Sequence, residues 1–558
     1  MAMPTADKKT VIVALGGAAV AFGIYLYFRK KGRSSEEIKM HVKRALKGKG
    51  MIPNKMSIVS LERKQSAGHL LSSRQRKMQD LDESFFETLD QSKLKINRVK
   101  ICKIDNIRDY IPGLKWRENH YARARTMRIS KTSERNFGAY TRDDDVVLFD
   151  IIRGDKSGTD AMAFKRAGCR KMICWKGSEV KAAIITCGGL CPGLNVVINE
   201  IVEVLYFEYG VNSIYGVKGG YRGLVDGGYG LIELNPTVVK GINRKGGTIL
   251  WSSRGGISPA SPPEEIEKIL NKLESYGINM LYIIGGDGTH RGAYRLYQHA
   301  KAREKKMIIA GIPKTIDNDM GVIDSSFGFN SAVEQATKAI FSAVTEATCN
   351  KPNGVGIVKL MGRHAGYIAC HATLASRQVD MCLINEDPFL ETNGPEAMAE
   401  YIEKTVQDKG HAVIVVAEGA GNNFLKSLRS GMESVEKDAG GNEALSNICD
   451  YLIDYLKQHF KQRSKACTVK FIDPSYMIRS VAANASDNVM CLVLAQNAVH
   501  GAMAGYTGFT SGLVNNRSVM IPMPVIMATS PSFLNPRGRT WSRVLAATQQ
   551  PVTMGLHD

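Results

Sequence analysis

The residues best suited to chemistry in this 558-residue chain lie between Gly285 and Asp319, where GGDGT (285–289) and PKTIDND (313–319) are separated by a helical connection. Glycines have no Cβ, so Gly286 and Gly288 let the backbone approach a polyphosphate closely. Asp287 offers the hard oxygen that the accompanying metal prefers. Asp317 then stands where it can take the proton of an acceptor hydroxyl. Upstream, CGGLCPGLN (187–195) sets a glycine turn ahead of a helix. Free N–H groups and the dipole at such a helix start favour an anion, although a plain glycine-rich turn explains the same residues.

Strands must carry these loops. LYII (281–284) and MIIAGI (307–312) are short β-rich runs, the first stopping at two glycines and the second at Pro313. Residues 290–303 between them are enough for the crossover helix that parallel strands require. Ligands of open α/β sheets bind outside the carboxyl ends of the strands, which is where both acids fall. KAAIIT (181–186) reads as another buried strand, followed by an amphipathic helix over 196–207. A helix is predicted over 261–277, with Pro262 and Pro263 near its start, Glu264 and Glu265 in its first turn, and Ile266, Ile269, Leu270 and Leu273 on one face. Further on come a helix over 331–348, a strand over 355–360, the apolar strand HAVIVVAEG (411–419) and a helix from Val489.

GGDGT by itself is shared by several kinase families, NAD and lipid kinases among them. GGDGT followed within one βαβ unit by PKTIDND, then by LMGRHAG (360–366) and YMIR (476–479), resembles the 6-phosphofructokinases. In detail it is similar to their plant-type ATP-dependent branch, over about two thirds of the chain. The resemblance implies an α/β fold of two Rossmann-like lobes with mainly parallel sheets. It implies a nucleotide lobe at 164–330 with a return segment at 485–535, a sugar-phosphate lobe at 331–484 and a C-terminal tail at 536–558. The implied activity is phosphorylation of fructose 6-phosphate by MgATP in glycolysis, with a homo-oligomer, dimer or tetramer, as the working form.

By the same resemblance, Asp317 is the general base and Asp287 holds Mg²⁺. Gly189, Arg254, Gly255, Gly286, Asp287, Gly288 and Thr289 contact ATP, with Tyr221 near the nucleotide. Thr315, Ile316, Asp317, Met361, Gly362, Arg363, Glu418, Tyr476, Met477, Ile478 and Arg479 contact the sugar phosphate. Thr315 and Asp319 orient acceptor or metal water, and Lys314 with the metal stabilises charge on the transferring group.

Gly288 and Lys314 bear on the phosphoryl donor. Pyrophosphate-dependent relatives carry Asp and Lys there, bacterial ATP enzymes Gly and Gly; this chain has Gly288 and Lys314. An Asp at 288 would occupy and repel the α-phosphate region, so Gly288 favours ATP over pyrophosphate. The chain departs from its relatives at Val196 and Asn199, where an acid or small polar residue and an arginine are usual, and at Trp251. It has Gly354 where bacterial members place an arginine that reaches the neighbouring subunit's site.

The net charge is +20, and residues 1–150 hold 31 lysines and arginines against 17 acids, so most of the excess lies ahead of the kinase-like part. A basic arm of this kind can meet anionic membrane or nucleic acid, but no zinc-finger or RNA-binding signature accompanies it, so no nucleic-acid partner is expected. Residues 11–28 are eighteen uncharged residues followed by Arg29, Lys30, Lys31 and Arg33. That run is just long enough to span a bilayer, and its flanking charge keeps the catalytic body cytosolic, an organelle outer membrane or the endoplasmic reticulum being the candidate sites. A cleaved signal peptide is the rival reading, and a soluble cytoplasmic protein the next. Residues 1–31 are thus expected as tail and anchor, and 32–163 as a basic tether and N-terminal extension. Eleven cysteines without a regular framework indicate a reduced compartment, and Cys187 and Cys191 read as loop packing before a redox pair. A membrane-tethered scaffold that has lost activity is a second class of function, opposed by the presence of every acid and arginine named above.

Overall fold

The computed structural model describes residues 96, 98–119, 140–152, 160–225, 230–253, 257, 261–350, 352–428 and 447–555. All of them belong to one compact unit, Ser92–Asp558. Among them, ten strands form the larger of two parallel-rich sheets. In chain order these are β1 (Arg98–Ile101), β2 (Val146–Leu148), β3 (Asp160–Arg166), β4 (Lys181–Thr186), β5 (Ser213–Val217), β6 (Leu231–Glu233), β7 (Met280–Gly285) and β8 (Ile308–Pro313), with two more from the end of the chain. The second sheet has β9 (Gly354–Leu360), β10 (Met381–Leu383), β11 (His411–Ala417) and β12 (Thr468–Ile472), all parallel, in the order β10-β11-β9-β12. The chain then returns to the larger sheet with β13 (Phe509–Val514) and β14 (Arg517–Pro522), whose order is β1-β3-β14-β13-β8-β7-β4-β5-β6 with β2 beside β3.

The apolar runs become central strands because helices cover both faces of a parallel sheet. Every residue of β7 and β8 is buried, and only Lys181 of β4 is exposed. Each large aliphatic side chain so enclosed contributes about 1.5–3 kcal/mol. Register turns this packing into a site. Ile284 pairs with Thr186 and Gly285 with Pro313, so three strands end level and release their loops side by side. In the smaller sheet Leu360 pairs with Ala417, and Val416 with Leu383, so three more strands end together.

Several helices differ in extent from the sequence reading. The one after the first glycine loop, α1 (Leu194–Glu203), ends in a π turn at Val204–Glu208. The helix expected over 261–277 is α2 (Pro263–Ser275), and α3 (Asp287–Ala302) is the crossover helix between β7 and β8. A long helix, α4 (Phe329–Cys349), leads into the smaller sheet, and the helix after the Arg363 loop is α5 (Tyr367–Ser376). The returning helix, α6 (Ala485–Met503), starts four residues before Val489, because the Asn484 side chain caps it by accepting from Asp487 N at 3.0 Å. The Asp487 carboxylate, itself buried, accepts from Ser331 N at 2.7 Å and Ser331 Oγ at 2.6 Å, which ties together the two places where the chain passes between the lobes.

Residues 536–558, read as a tail, contain a docked helix, α7 (Arg539–Thr548), with Trp541 fully buried. Gln550 next to it pairs with both backbone groups of Cys382, accepting from its N at 2.8 Å and donating to its O at 3.0 Å. The sequence reading missed this because α7 is short and polar on one side. Strands β1 to β3 show that the extension before residue 164 adds an edge to the larger sheet. Among the described residues no helix is long and apolar enough to cross a membrane. Residues 11–28, on which the anchor rests, lie outside the described residues, as do Arg254 and Gly255.

Trp541→Ala is expected to destabilise the protein by about 3–5 kcal/mol, the usual cost of emptying a buried aromatic site. Denaturant unfolding followed by circular dichroism reads this. An unchanged midpoint would mean that α7 does not hold the smaller lobe.

Candidate functional site

A cleft of about 570 Å³ opens where the level strand ends of the two sheets face each other. Its floor on the larger-sheet side is built from the loops after β4, β7 and β8, and its opposite wall from Met361, Arg363 and Arg479. Gly189, Gly286, Asp287, Gly288, Thr289, Lys314, Thr315, Ile316 and Asp317 all line it, so the two sequence motifs and the upstream glycine turn do converge.

The glycines of the loops differ in what a side chain would meet. A Cβ on Gly285 would run into the Thr289 side chain. At Gly288 a Cβ would meet nothing within 4 Å, so any side chain there would project into open space beside the loop. Gly188 has a left-handed φ of +86°, and behind it the buried Lys314 ammonium donates to Gly189 O at 2.8 Å. Lys314 N also donates to Gly285 O at 2.9 Å, so this one residue stitches both glycine loops to the loop after β8. On α3, the Nδ1–H of the buried His290 ring donates to Gly286 O at 2.9 Å, since a carbonyl oxygen can only accept, and burial lowers the ring's pKa. Tyr221, also buried, donates to Thr289 O at 3.0 Å.

The loop after β8 brings Asp317 and Asp319 into the same cleft. Asn318 between them has a left-handed φ of 57°, a conformation asparagine tolerates better than most residues, and its side chain accepts from Ser326 N at 2.8 Å. Thr315 Oγ1 donates to Asp319 Oδ1 at 2.6 Å and accepts from Asp317 N at 3.2 Å. Asp317 is open to the cleft on one side, but its Oδ1 is buried with no hydrogen-bond partner. Burial, then the charges of Asp319 and Glu418, push its pKa up to about 7, against the smaller opposing pull of a backbone bond near Arg363 and of Lys314. Asp319 is raised too, chiefly by burial and partly by Asp287 across the cleft. Its hydrogen bond from Thr315 works the other way.

The remaining sequence candidates divide. Arg479 faces the cleft, with its guanidinium 4.8 Å above the Tyr476 ring, whereas Tyr476 and Met477 are each 73% exposed and Ile478 is buried in the core. Helical spacing explains the split: over Ser475–Arg479 four successive side chains cannot share one face. Gly362 is buried with φ +136°, and Glu418, which is not part of the cleft lining, acts on Asp317 by its charge. No arginine can replace Gly354, because a Cβ there would strike the Ala347 carbonyl oxygen of α4. Cys187 and Cys191 are buried, and burial pushes both thiols up to about 12, which suits packing and not thiolate chemistry. Trp251 holds a left-handed φ of 56° with the Lys218 ammonium 4.7 Å over its ring, and its carbonyl accepts from Thr186 Oγ1 at 2.7 Å.

Sequence reasoning missed Ser253, Ile257, His364 and Pro531 in the lining. Pro531 belongs to a strap that crosses between the lobes. Ser532 N donates to Asp319 O at 2.6 Å, Tyr367 Oη to Phe533 O at 3.0 Å, and Leu534 N to Glu386 Oε1 at 2.8 Å. No local pattern marks it, since its partners lie some 150 to 210 residues away.

The donor set suits magnesium. Among the described residues no three His, Cys, Asp or Glu side chains gather into a metal cage. Magnesium, however, is held by one or two carboxylates together with substrate phosphates, and Asp287 lines the cleft part-exposed at the start of α3 with Asp319 near enough to feel its charge.

Residues 181–502 match the family model described as Phosphofructokinase. The chain is 49% identical over 403 residues, 72% of its length and 80% of the relative's, to ATP-dependent 6-phosphofructokinase 7 of Arabidopsis thaliana. Among solved structures it is similar to Pichia pastoris phosphofructokinase in the T-state, with a TM-score of 0.52 and 23% identity over 71% of this chain and 40% of that longer one. It is similar also to a pyrophosphate-dependent phosphofructokinase from Marinobacter aquaeolei, with a TM-score of 0.53 and 19% identity over 66% of this chain and 91% of that one. At those identities the solved structures speak for the fold alone, but with the matched model and the Arabidopsis relative the conclusion is plain: the chain belongs to the phosphofructokinase family.

Proposed function

We propose that the cleft transfers the γ-phosphoryl group of MgATP to the 1-hydroxyl of fructose 6-phosphate, yielding fructose 1,6-bisphosphate and ADP. The observation that carries this is Asp317: a carboxyl pushed up to about 7, with one oxygen shut from solvent, in the same cleft as an open glycine loop and two arginines. A base poised near neutral pH accepts the hydroxyl proton as attack begins. The relative named as an ATP-dependent 6-phosphofructokinase supports both donor and acceptor.

Each group has a task in that reaction. The loops at Gly188–Gly189 and Gly286–Thr289 present backbone to the donor phosphates, and Lys314 fixes their spacing. Magnesium, when bound, would neutralise charge on the donor phosphates, and Asp287 with Asp319 would supply its protein oxygens. Thr315 holds Asp319 and the Asp317 amide, which sets the direction of the base. Arg363 and Arg479 stand where the sugar phosphate enters, and a guanidinium fork suits a phosphate's paired oxygens. Glu418 acts on the base by charge and takes the sugar side of the site. Tyr476 supports Arg479 from below through its ring. The open space at Gly288 favours a nucleotide over pyrophosphate as donor.

A coupled assay with fructose 6-phosphate should show turnover with MgATP and little with pyrophosphate. Asp317→Asn should lower kcat by about 10² to 10⁴-fold, the usual worth of a general base, while the protein still binds both substrates. Gly288→Asp should weaken MgATP selectively. Turnover only with pyrophosphate would overturn the donor, and an active Asp317→Asn variant would overturn the base.

From sequence alone, residues 11–28 further suggest that the protein is held at a membrane with this cleft in the cytosol. Retention in the pellet after an alkaline carbonate wash is the expected result, and release into the wash would refute it.

A further inference from the structure

We propose that Asn385 is a positioning residue for the sugar-phosphate half of the site, an inference that rests on the acceptor reading above. Asn385 lies just beyond β10, in a row with the ends of β11 and β9, and these three strand ends carry Asn385, Glu418 and the Met361–Arg363 turn. Its carboxamide Nδ2 donates to Arg363 O at 2.7 Å and to Gly362 O at 3.2 Å. The turn it grips has a backbone that only glycine adopts readily. Gly362 sits at φ +136°, and a Cβ there would press on Ala365 O at 2.5 Å.

The same amide also fixes the neighbouring strand end. A Cβ on Gly419, the residue after Glu418, would strike Asn385 Nδ2 and lie 2.5 Å from Arg363 O. The Gly419 backbone therefore closes onto the Asn385 amide and the Arg363 carbonyl. Glu418 N in turn donates to Leu360 O at 2.9 Å. The Asn385 amide thus bonds to the Arg363 turn and packs against the residue after Glu418, while the ladder bond from Glu418 N ties that strand end to the end of β9.

The orientation of the amide is dictated by chemistry. Two carbonyl oxygens face it, so its NH₂ must point at them, which leaves Oδ1 buried without a partner. A buried acceptor left so is unfavourable, and it is retained here where the NH₂ contact is needed. Beyond the amide lies a second cavity of about 500 Å³, which shares Arg363 and His364 with the cleft and has Asn385 in its wall. If the amide is lost, Arg363 gains room to turn away from the cleft into that cavity.

The test compares Asn385→Ala, Asn385→Gln and the isosteric Asn385→Asp in full-length protein. In Asn385→Ala the KM for fructose 6-phosphate should rise about tenfold, the effect of one or two lost hydrogen bonds, with the KM for MgATP within twofold of wild type. Asn385→Asp should be worse than Ala despite its equal shape, because a carboxylate oxygen repels the two carbonyls. Asn385→Gln, which keeps the NH₂, should recover part of the loss. Calorimetric titration of fructose 6-phosphate without nucleotide, and a thermal midpoint for each variant, separate binding from folding. A KM for fructose 6-phosphate within twofold of wild type in both Ala and Asp, or an equal rise in both KM values, would overturn the proposal. Should Ala fail to fold, the order of Asp and Gln against wild type decides it alone. Wild-type protein that ignores fructose 6-phosphate would instead refute the acceptor reading.

Discussion

The site depends on holding one carboxyl, Asp317, where water does not reach its Oδ1 and where two other acids bear on it. Burial in low dielectric disfavours the charged form, and Asp319 and Glu418 add like charge, so a group that would ionise near 4 keeps its proton up to about 7. This costs stability. The unfolded chain releases that proton at ordinary carboxylate pH while the folded chain retains it, so the group's contribution becomes steadily less favourable as pH rises from the unfolded value to about 7. The surrounding bonds, Thr315 to Asp319 and Lys314 to Gly189, hold the loop in place against that strain.

The division of the chain into two sheets follows from the same need. A phosphoryl donor and a sugar phosphate each require a set of strand ends with exposed backbone, and a parallel sheet supplies that at only one edge. Two sheets facing each other supply it twice. The tie between Ser331 and Asp487 and the strap from Ser530 to Leu534 then join the lobes at points far apart in sequence. Lys314 and Asn385 play matching parts in the two halves: each reaches across from its own loop to fix the carbonyl of a neighbouring one.

Much of this was legible in the residues themselves. The central strands were readable because each is a nearly unbroken apolar run that stops at glycine or proline, and the catalytic segment because GGDGT and PKTIDND sit one crossover apart. Roles that depend on distant partners were not. Tyr476 and Met477 share a motif with Arg479 yet face solvent, since helical geometry lets only some of four consecutive residues point into a cleft. The strap around Pro531 and the residue Asn385 carry no motif, and both are held by bonds that form only after the strands have aligned. The start of α6 was placed late because its cap, Asn484, lies outside the apolar pattern that marks the helix.

The most direct test of the account is the pH dependence of kcat/KM for fructose 6-phosphate with MgATP held well below its own KM, so that the profile reports the free enzyme. A general base must be ionised to act, and the Asp317 carboxyl proposed for that role has its pKa pushed up to about 7. The predicted profile therefore rises about tenfold per pH unit below that value and levels above it, as a single essential base requires. A profile already flat across pH 6 to 8 would mean that Asp317 is an ordinary, solvated carboxylate, and the buried base on which the account stands would be contradicted.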